Sequence, residues 1–257
     1  MALTSREIRA GLCGLGVEEG DALVVHSSLS SFGHVEGGAD AVVDALLDAV
    51  GPSGTLAVPT FTRYDEPYDP EASPSTTGAI TNAVRTREGT ERSAHPTKSI
   101  AVIGPDASAL VADHEPANSL GIASPLHRVL KRDGNILLVG ADHTTNSALH
   151  VAERLAGMPY RDQLAETTIR TDEGVERVTV NQVHCSNGFE AISPLARHAG
   201  IVRRGRIGDA EVQLIEGEPL LELAVELLET EPGALLCSSP DCDRCGYARE
   251  RIAASRD

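Results

Sequence analysis

The chain has 257 residues, of which 41% are hydrophobic, and this is enough to bury a sizeable core. Its 38 acidic residues outnumber the 22 basic ones, and the net charge of −16 argues against a nucleic acid partner. No apolar run approaches the roughly 20 residues that span a bilayer, and the polar start MALTSREIRAGL lacks a secretory signal pattern. We therefore expect a cytoplasmic protein without membrane or nucleic acid partners, while a homodimer stays open.

Short apolar runs alternate with helical patterns up to residue 157. The runs ALVVHS, TLAVPTF, SIAVIG and NILLVG are predicted to be buried strands. Helical spacing is predicted over residues 38–50, 78–88 and 146–155, and the first of these helices ends at Gly51-Pro52. Strands that alternate with helices predict an α/β sheet that is at least partly parallel.

The pattern changes in the second half of the chain. Residues 165–171 and 175–183 flank Asp172-Glu173-Gly174, which is typical of an antiparallel hairpin, and residues 217–231 predict an amphipathic helix. We therefore predict one domain over residues 1–257, with a mixed, partly parallel sheet flanked by helices and an antiparallel C-terminal elaboration.

Two polar segments adjoin the predicted strands. HSSLSSFG follows the first strand, and a turn rich in hydroxyl and N–H groups at that place suits an anion such as a pyrophosphate, although it also fits an ordinary turn. In RSAHPTKSIAVIG, Pro96 extends the backbone at His95, which makes this histidine a candidate ligand or base. A loop histidine that bonds to the backbone fits the same pattern.

A third segment, GADHTTNSALHVAERLAG, places a possible catalytic pair on one helix. His150 and Glu153 are three residues apart and share a face, with Asn146 one turn before them and apolar residues around them. A carboxylate beside a partly buried imidazole fixes its tautomer and raises its basicity, which is how a general base is built. An exposed His–Glu pair without function is the alternative.

Six segments occur in this order along the chain: ALVVHSSLSSFG, GPSGTLAVPTFT, SPSTTGAI, RSAHPTKSIAVIGPDA, SPLHRVLKRDGNILLVG and HTTNSALHVAE. Together they resemble the aminoglycoside 3-N-acetyltransferase family, also called antibiotic N-acetyltransferases. The resemblance runs from about residue 22 to residue 153 and continues more weakly to residue 193. It implies an α/β fold that differs from the GNAT acetyltransferases.

The resemblance also implies an activity and a site. Members of this family transfer acetyl from acetyl-CoA to an amine, so a small-molecule amine, such as the 3-amino group of a polycationic aminoglycoside, is the implied partner. By the same resemblance His150 is the general base, Glu153 orients it, and His95 and Ser99 line the cofactor side. The CoA pyrophosphate is implied to bind at Ser27, Ser28, Leu29, Ser30, Ser31, Phe32 and Gly33.

Two sets of residues compete with or add to this site. His143 precedes His150 in the same segment and is a competing catalytic histidine. Asp65, Glu66 and Asp69, on the proline-rich loop 63–78, are the candidates for gathering a polycationic acceptor.

Four of the five cysteines lie in the last third of the chain, and Cys13, which stands alone, is expected to be buried. CSSPDCDRC has the spacing C-x4-C-x2-C, and Cys185 lies upstream beside His184. Four thiolates make a closed structural zinc site, so we predict a zinc ion held by Cys185, Cys237, Cys242 and Cys245. Four reduced thiols without metal are the alternative.

Three other functions stay open at this point. The amine acceptor could be a nucleotide-linked or biosynthetic intermediate instead of an aminoglycoside. A zinc-dependent hydrolase would use His184 and the cysteines, but it leaves HSSLSSFG unexplained. A zinc-stabilised binding module would leave the His150–Glu153 pair without a role.

Overall fold

The computed structural model describes residues 2–255, so Met1, Arg256 and Asp257, at the ends of the predicted domain, lie outside the described residues. The helices are α1 (Ser5–Leu15), α2 (Gly38–Val50), α3 (Ala79–Arg85), α4 (Ala107–Val111), α5 (Pro125–Leu130), α6 (Ala148–Leu155), α7 (Ser193–His198), α8 (Gly217–Thr230) and α9 (Asp243–Ala254). The strands are β1 (Ala22–Ser27), β2 (Thr55–Pro59), β3 (Glu91–Arg92), β4 (Ile100–Ile103), β5 (Asn135–Val139), β6 (Leu164–Thr171), β7 (Gly174–Asn181), β8 (Val202–Ile207) and β9 (Ala210–Glu216). Between residues 2 and 255, none of the helices combines the length and the apolar character that crossing a membrane requires.

A seven-stranded sheet in the order β3-β4-β2-β1-β5-β9-β8 forms the centre of the molecule. β1 is parallel to β2 on one side and to β5 on the other, and the other neighbouring strands are antiparallel. β6 and β7 form a separate antiparallel hairpin. The predicted mixed, partly parallel α/β fold with an antiparallel C-terminal elaboration is thus confirmed.

The two faces of the sheet bury separate hydrophobic clusters. Along β1, Leu23 and Val25 pack with α1 and α2 on one face, whereas Val24 packs with helices that include α6 and α8 on the other. Because helices cover both faces, the central strands are continuous apolar runs and not alternating patterns. For this reason the ends of β1, β2, β4 and β5 could be predicted from the sequence to within two residues.

The elements that were not predicted are α1, α4, α5, α7, α9, β3, β8 and β9. α1 begins with a capping box, in which the Glu7 N–H donates to Thr4 Oγ1 at 3.3 Å and the Thr4 N–H donates to Glu7 Oε2 at 2.9 Å. The T-x-x-E pattern at residues 4–7 could therefore have predicted the start of this helix. β8 is an edge strand that leaves most of its side chains exposed, so its sequence VRRGRI has no apolar run.

Candidate active site

A cavity of about 750 Å³ opens at the edge of the sheet where the parallel strands β1, β2 and β5 end. Its wall includes Ser27 at the end of β1, Ser28 directly after it, Phe61 after β2 and Gly140 after β5. The chain continues from β1 to its neighbour β2 on one side, whereas its neighbour on the other side is β5. Open α/β sheets bind ligands where the strand order reverses in this way. The volume suits a small-molecule ligand.

His150 lies in the wall of this cavity and is bound to Glu153 inside the protein. His150 Nδ1 and Glu153 Oε2 are 2.8 Å apart, and the two residues are 5% and 0% exposed. The carboxylate accepts the Nδ1 proton, so Nε2 is the basic nitrogen of the ring. The ring also packs edge-on against Phe189, with centroids 4.7 Å apart, which further fixes its orientation.

Glu153 has two further partners that the sequence analysis missed. The Tyr160 hydroxyl donates to Glu153 Oε1 at 3.2 Å, and Arg161 Nη1 lies 3.6 Å from Oε2. Burial alone would raise the pKa of Glu153, but His150 and Arg161 together bring that pKa below its ordinary value. Glu153 is therefore a carboxylate with fixed geometry. Both partners lie on the short 3-10 helix Pro159–Asp162, directly after α6.

The pKa of His150 is lowered mainly by burial, and the charge of Glu153 offsets this only in part. The imidazole is therefore neutral at pH 7, which is the state that a general base requires. The arrangement can remove a proton from a group bound in the cavity and hold the resulting imidazolium against the carboxylate.

Three other histidines lie near the cavity. His143, the competing candidate, is fully buried outside the cavity wall, with Nδ1 3.2 Å from Asn146 Nδ2. His26 and His184 do line the cavity, and burial lowers their pKa values to about 3 and about 4. Neither ring nitrogen of His184 has a hydrogen-bond partner among the described residues.

The chain resembles known proteins in both sequence and structure. The family model for aminoglycoside 3-N-acetyltransferase matches residues 24–229 of this chain. Aminoglycoside N(3)-acetyltransferase IV of Salmonella sp is 33% identical over 229 residues, which cover 88% of this chain and 87% of the relative. The chain belongs to the aminoglycoside 3-N-acetyltransferase family.

Solved structures of the family agree with this assignment. A mutant of aminoglycoside acetyltransferase AAC(3)-IVa in complex with a gentamicin has a TM-score of 0.90 and 32% identity, with 98% of each chain covered. The binary complex of AAC-IIIb with CoASH has a TM-score of 0.82 and 28% identity, with 90% of this chain and 97% of that chain covered.

The serine-rich turn of this family member reaches the cavity with only part of its length. Ser27 and Ser28 line the cavity, whereas Leu29–Phe32 form a 3-10 helix outside the cavity wall. Phe32 is buried in the core, and Gly33 is exposed outside the cavity wall. Of the seven predicted cofactor residues in the turn, the structure therefore places two in the cavity wall.

Gly140 supports this turn from the end of β5. Its φ of +57° is in the left-handed region, and a Cβ at this position would collide with the Ser31 side chain. We expect Gly140→Ala to lower the free energy of unfolding, measured by urea denaturation, by roughly 1–3 kcal/mol through backbone strain and this collision. Gly200, with φ +76° and open space around it, is the control for strain alone. A Gly140→Ala protein as stable as Gly200→Ala would contradict the predicted collision.

The structure does not place His95 or Ser99 in the cavity wall. Both are fully buried: His95 Nδ1 accepts from the Lys98 N–H at 3.0 Å, and the Ser99 hydroxyl donates to the Thr60 carbonyl at 2.7 Å. These bonds turn both side chains toward the protein backbone, so the predicted direct contact with the cofactor does not fit the geometry. Lys98, between them, is the residue of this segment that lines the cavity.

The acidic residues of loop 63–78 also lie outside the cavity wall. Asp65 pairs with Arg63 at 2.9 Å, Glu66 is exposed, and Asp69 accepts hydrogen bonds from backbone N–H groups of its own turn. These carboxylates bind neighbouring groups of their own loop or face solvent, and they do not line the cavity.

The structure brings the four predicted cysteine ligands together. The Sγ atoms of Cys185, Cys237, Cys242 and Cys245 all lie within 4.8 Å of one another. The loop that follows β7 supplies Cys185, and α9 supplies Cys245. Cys13 is exposed, because α1 buries its other face, so the expectation that it is buried was wrong.

Proposed function

We propose that this chain is an acetyl-CoA-dependent N-acetyltransferase that acetylates an amine of an aminoglycoside, in one domain over residues 1–257. The observation that carries the proposal is the His150–Glu153 pair in the wall of a cavity at the parallel strand ends. Membership of the family supports it, as do family structures with a gentamicin and with CoASH.

The chemistry that these residues supply is proton transfer. An amine has to be neutral to attack a thioester, and most amines carry a proton at pH 7. His150 Nε2 accepts this proton while Nδ1 stays bound to Glu153. Bound acetyl-CoA would provide the acetyl thioester, whose C–S bond breaks as the C–N bond forms. The attacking nitrogen loses a second proton and the sulfur takes up one, so that CoA leaves as a thiol. Tyr160 and Arg161 hold Glu153 in place, so the base does not need to reorganise.

The reaction is tested by a screen of amine acceptors, aminoglycosides included, for thiol release from acetyl-CoA. We expect release that depends on both the amine and the protein, together with acetyl-CoA binding by calorimetry without any amine. Binding without release for any amine would contradict acetyl transfer, and the absence of binding would contradict the cofactor.

Ser28 is proposed to adjoin the CoA pyrophosphate. We expect Ser28→Glu to weaken the Kd for acetyl-CoA by about tenfold or more, because a carboxylate would repel the phosphates at close range. Adding Ser30→Glu should weaken it further, because Ser30 Oγ lies only 3.1 Å from Ser28 Oγ although it is outside the cavity wall. Calorimetry gives the Kd, and unfolding curves should match those of the wild-type protein. Ser53→Glu, on an exposed turn elsewhere, adds the same charge and serves as the control. Equal affinity for wild type and Ser28→Glu would contradict this placement.

We also propose that the cysteine cluster holds one structural zinc ion. A tetrahedral site with Zn–S bonds of about 2.3 Å needs sulfur atoms about 3.8 Å apart, which agrees with four Sγ atoms within 4.8 Å of one another. Four protein ligands leave no position for a water molecule, so this cluster does not favour the zinc hydrolase alternative. His184 is not among the clustered ligands and faces the cavity instead.

A further inference from the structure

One residue of the cavity wall has no part in the proposed proton transfer. His184 is 4% exposed and lines the cavity, yet neither of its ring nitrogens has a hydrogen-bond partner among the residues that the structure describes. Its neighbour Cys185 belongs to the cysteine cluster, but His184 itself does not. A buried imidazole without hydrogen bonds is uncommon, so the contacts of its ring indicate what it does.

The His184 ring lies between the rings of two tyrosines. Its centroid is 5.2 Å from that of Tyr160 and 5.7 Å from that of Tyr247. Tyr160 is fully buried on the 3-10 helix after α6, and Tyr247 is half-buried on α9. Such distances are within the range of favourable aromatic pairs. We call these three side chains the aromatic row.

One end of the aromatic row makes the hydrogen bond that orients Glu153. The Tyr160 hydroxyl, at 3.2 Å, is the only hydrogen-bond donor to Glu153 Oε1 among residues 2–255. The other oxygen, Oε2, is bound to His150 Nδ1 at 2.8 Å. If Tyr160 moves, Glu153 is free to rotate, and His150 loses the fixed orientation that a general base requires.

The cysteine cluster holds the other side of the aromatic row. His184 directly precedes Cys185, and Tyr247 follows Cys245 by two residues on α9. The four Sγ atoms lie within 4.8 Å of one another, so the loop after β7 and the start of α9 meet at the cluster. The cluster therefore fixes the two rings that support the third ring of the row.

We propose that His184 is a positioning residue, whose ring holds Tyr160 against Glu153. The inference rests on acetyl transfer as the function. Because its nitrogens form no hydrogen bonds with described residues, His184 supports Tyr160 through the shape of its ring and not through proton chemistry. A phenyl ring should therefore replace it, whereas a methyl group should not. The cysteine cluster thereby serves catalysis as well as stability.

The test measures steady-state thiol release from acetyl-CoA with gentamicin as the acceptor. His184→Ala and Tyr160→Phe should each lower kcat by about tenfold, because each releases the carboxylate that orients the base. The double variant should be about as slow as either single variant, since both changes act on the same hydrogen bond. His184→Phe should stay within about threefold of wild type in kcat, and every variant should do so in the Kd for acetyl-CoA from calorimetry.

A readout without turnover separates the positioning role from acetyl transfer. The His150 Nδ1 proton is held against Glu153, and NMR of protein labelled with 15N-histidine measures its exchange with water. Exchange should be about tenfold faster or more in His184→Ala and near wild type in His184→Phe. If no amine releases thiol, the proposed acetyl transfer fails, while this comparison still decides the role of His184.

Matched controls separate positioning from a general loss of stability. His198→Ala removes an exposed histidine from α7, and Leu12→Ala opens a cavity under α1 on the opposite face of the sheet, so both should keep wild-type turnover. Tyr247→Ala removes the other end of the row and should also lower kcat, which provides the test if His184→Ala does not fold.

Two results would overturn the proposal. The first is an equal loss of turnover in His184→Phe and His184→Ala, because it would show that a ring nitrogen of His184 acts on the ligand. The second is wild-type turnover and wild-type exchange of the His150 proton in His184→Ala, or in Tyr247→Ala where the first variant does not fold.

Discussion

His150→Ala is expected to lower turnover by about 10²- to 10⁴-fold and to leave the affinity for acetyl-CoA nearly unchanged. The reason is that Nε2 is the basic nitrogen in the wall of the cavity and that Nδ1 is already bound to Glu153 at 2.8 Å. Steady-state thiol release gives kcat, and calorimetry gives the Kd. The protein should remain folded, since α6 is anchored by apolar residues that the substitution does not touch.

The controls for this prediction come from the same segment. Glu153→Gln should lower turnover less, because it removes charge and orientation but keeps the imidazole. His143→Ala should stay near wild type, since His143 lies outside the cavity wall. Below the pKa of His150, which burial places under its ordinary value, the base is protonated, so turnover should fall with decreasing pH in that range. A turnover lost in His143→Ala and retained in His150→Ala would reverse the roles of the two histidines.

Cys245→Ser is expected to have the largest effect on stability. Cys245 is fully buried at the start of α9, and three other thiols lie within 4.8 Å of its Sγ. Metal analysis of protein purified without added zinc should give about one equivalent per chain. The variant should lose this metal and, with it, roughly 3 kcal/mol or more of the free energy of unfolding, because binding to a closed site contributes to folding.

Cys13→Ser is the matched control for the cluster, because Cys13 is exposed on α1, away from the other thiols. It should keep both the metal and the stability. Removal of the metal by a chelator should reduce stability more than it changes the rate of the chemical step, since His150 is not a ligand. A metal-free protein whose four cluster thiols titrate freely would contradict the zinc proposal.

The elements that could be predicted are those whose signal is local. β1 and α2 were predicted with their observed bounds, because buried apolar runs and a Gly-Pro stop are visible in the sequence. The His150–Glu153 bond was predictable for the same reason, since residues three apart on a helix share a face. Three of the four clustered cysteines could be grouped from C-x4-C-x2-C, whereas the place of the distant Cys185 depended on the fold.

The features that could not be predicted depend on contacts between distant segments. Nothing local indicates that Lys98 faces the cavity while His95 and Ser99 face the protein interior. The Ser119 hydroxyl that binds His95 and the Thr60 carbonyl that binds Ser99 come close only in the folded chain. The acidic loop looked suited to a polycation, but its own Arg63 pairs with Asp65 there. Charge in a sequence identifies candidates, and pairing in the fold decides which of them remain available to a ligand.

The central claim is that His150 serves transfer of acetyl to an amine, and the most direct test is the identity of the product. Acetyl-CoA and gentamicin are incubated with wild-type protein and with His150→Ala, and mass spectrometry quantifies the acetylated aminoglycoside against the thiol released. We predict one N-acetyl product per thiol for the wild-type protein and at least about a hundredfold slower formation of the same product by the variant. Release of the thiol together with free acetate and no acetylated amine, or equal product formation by both proteins, would contradict the account.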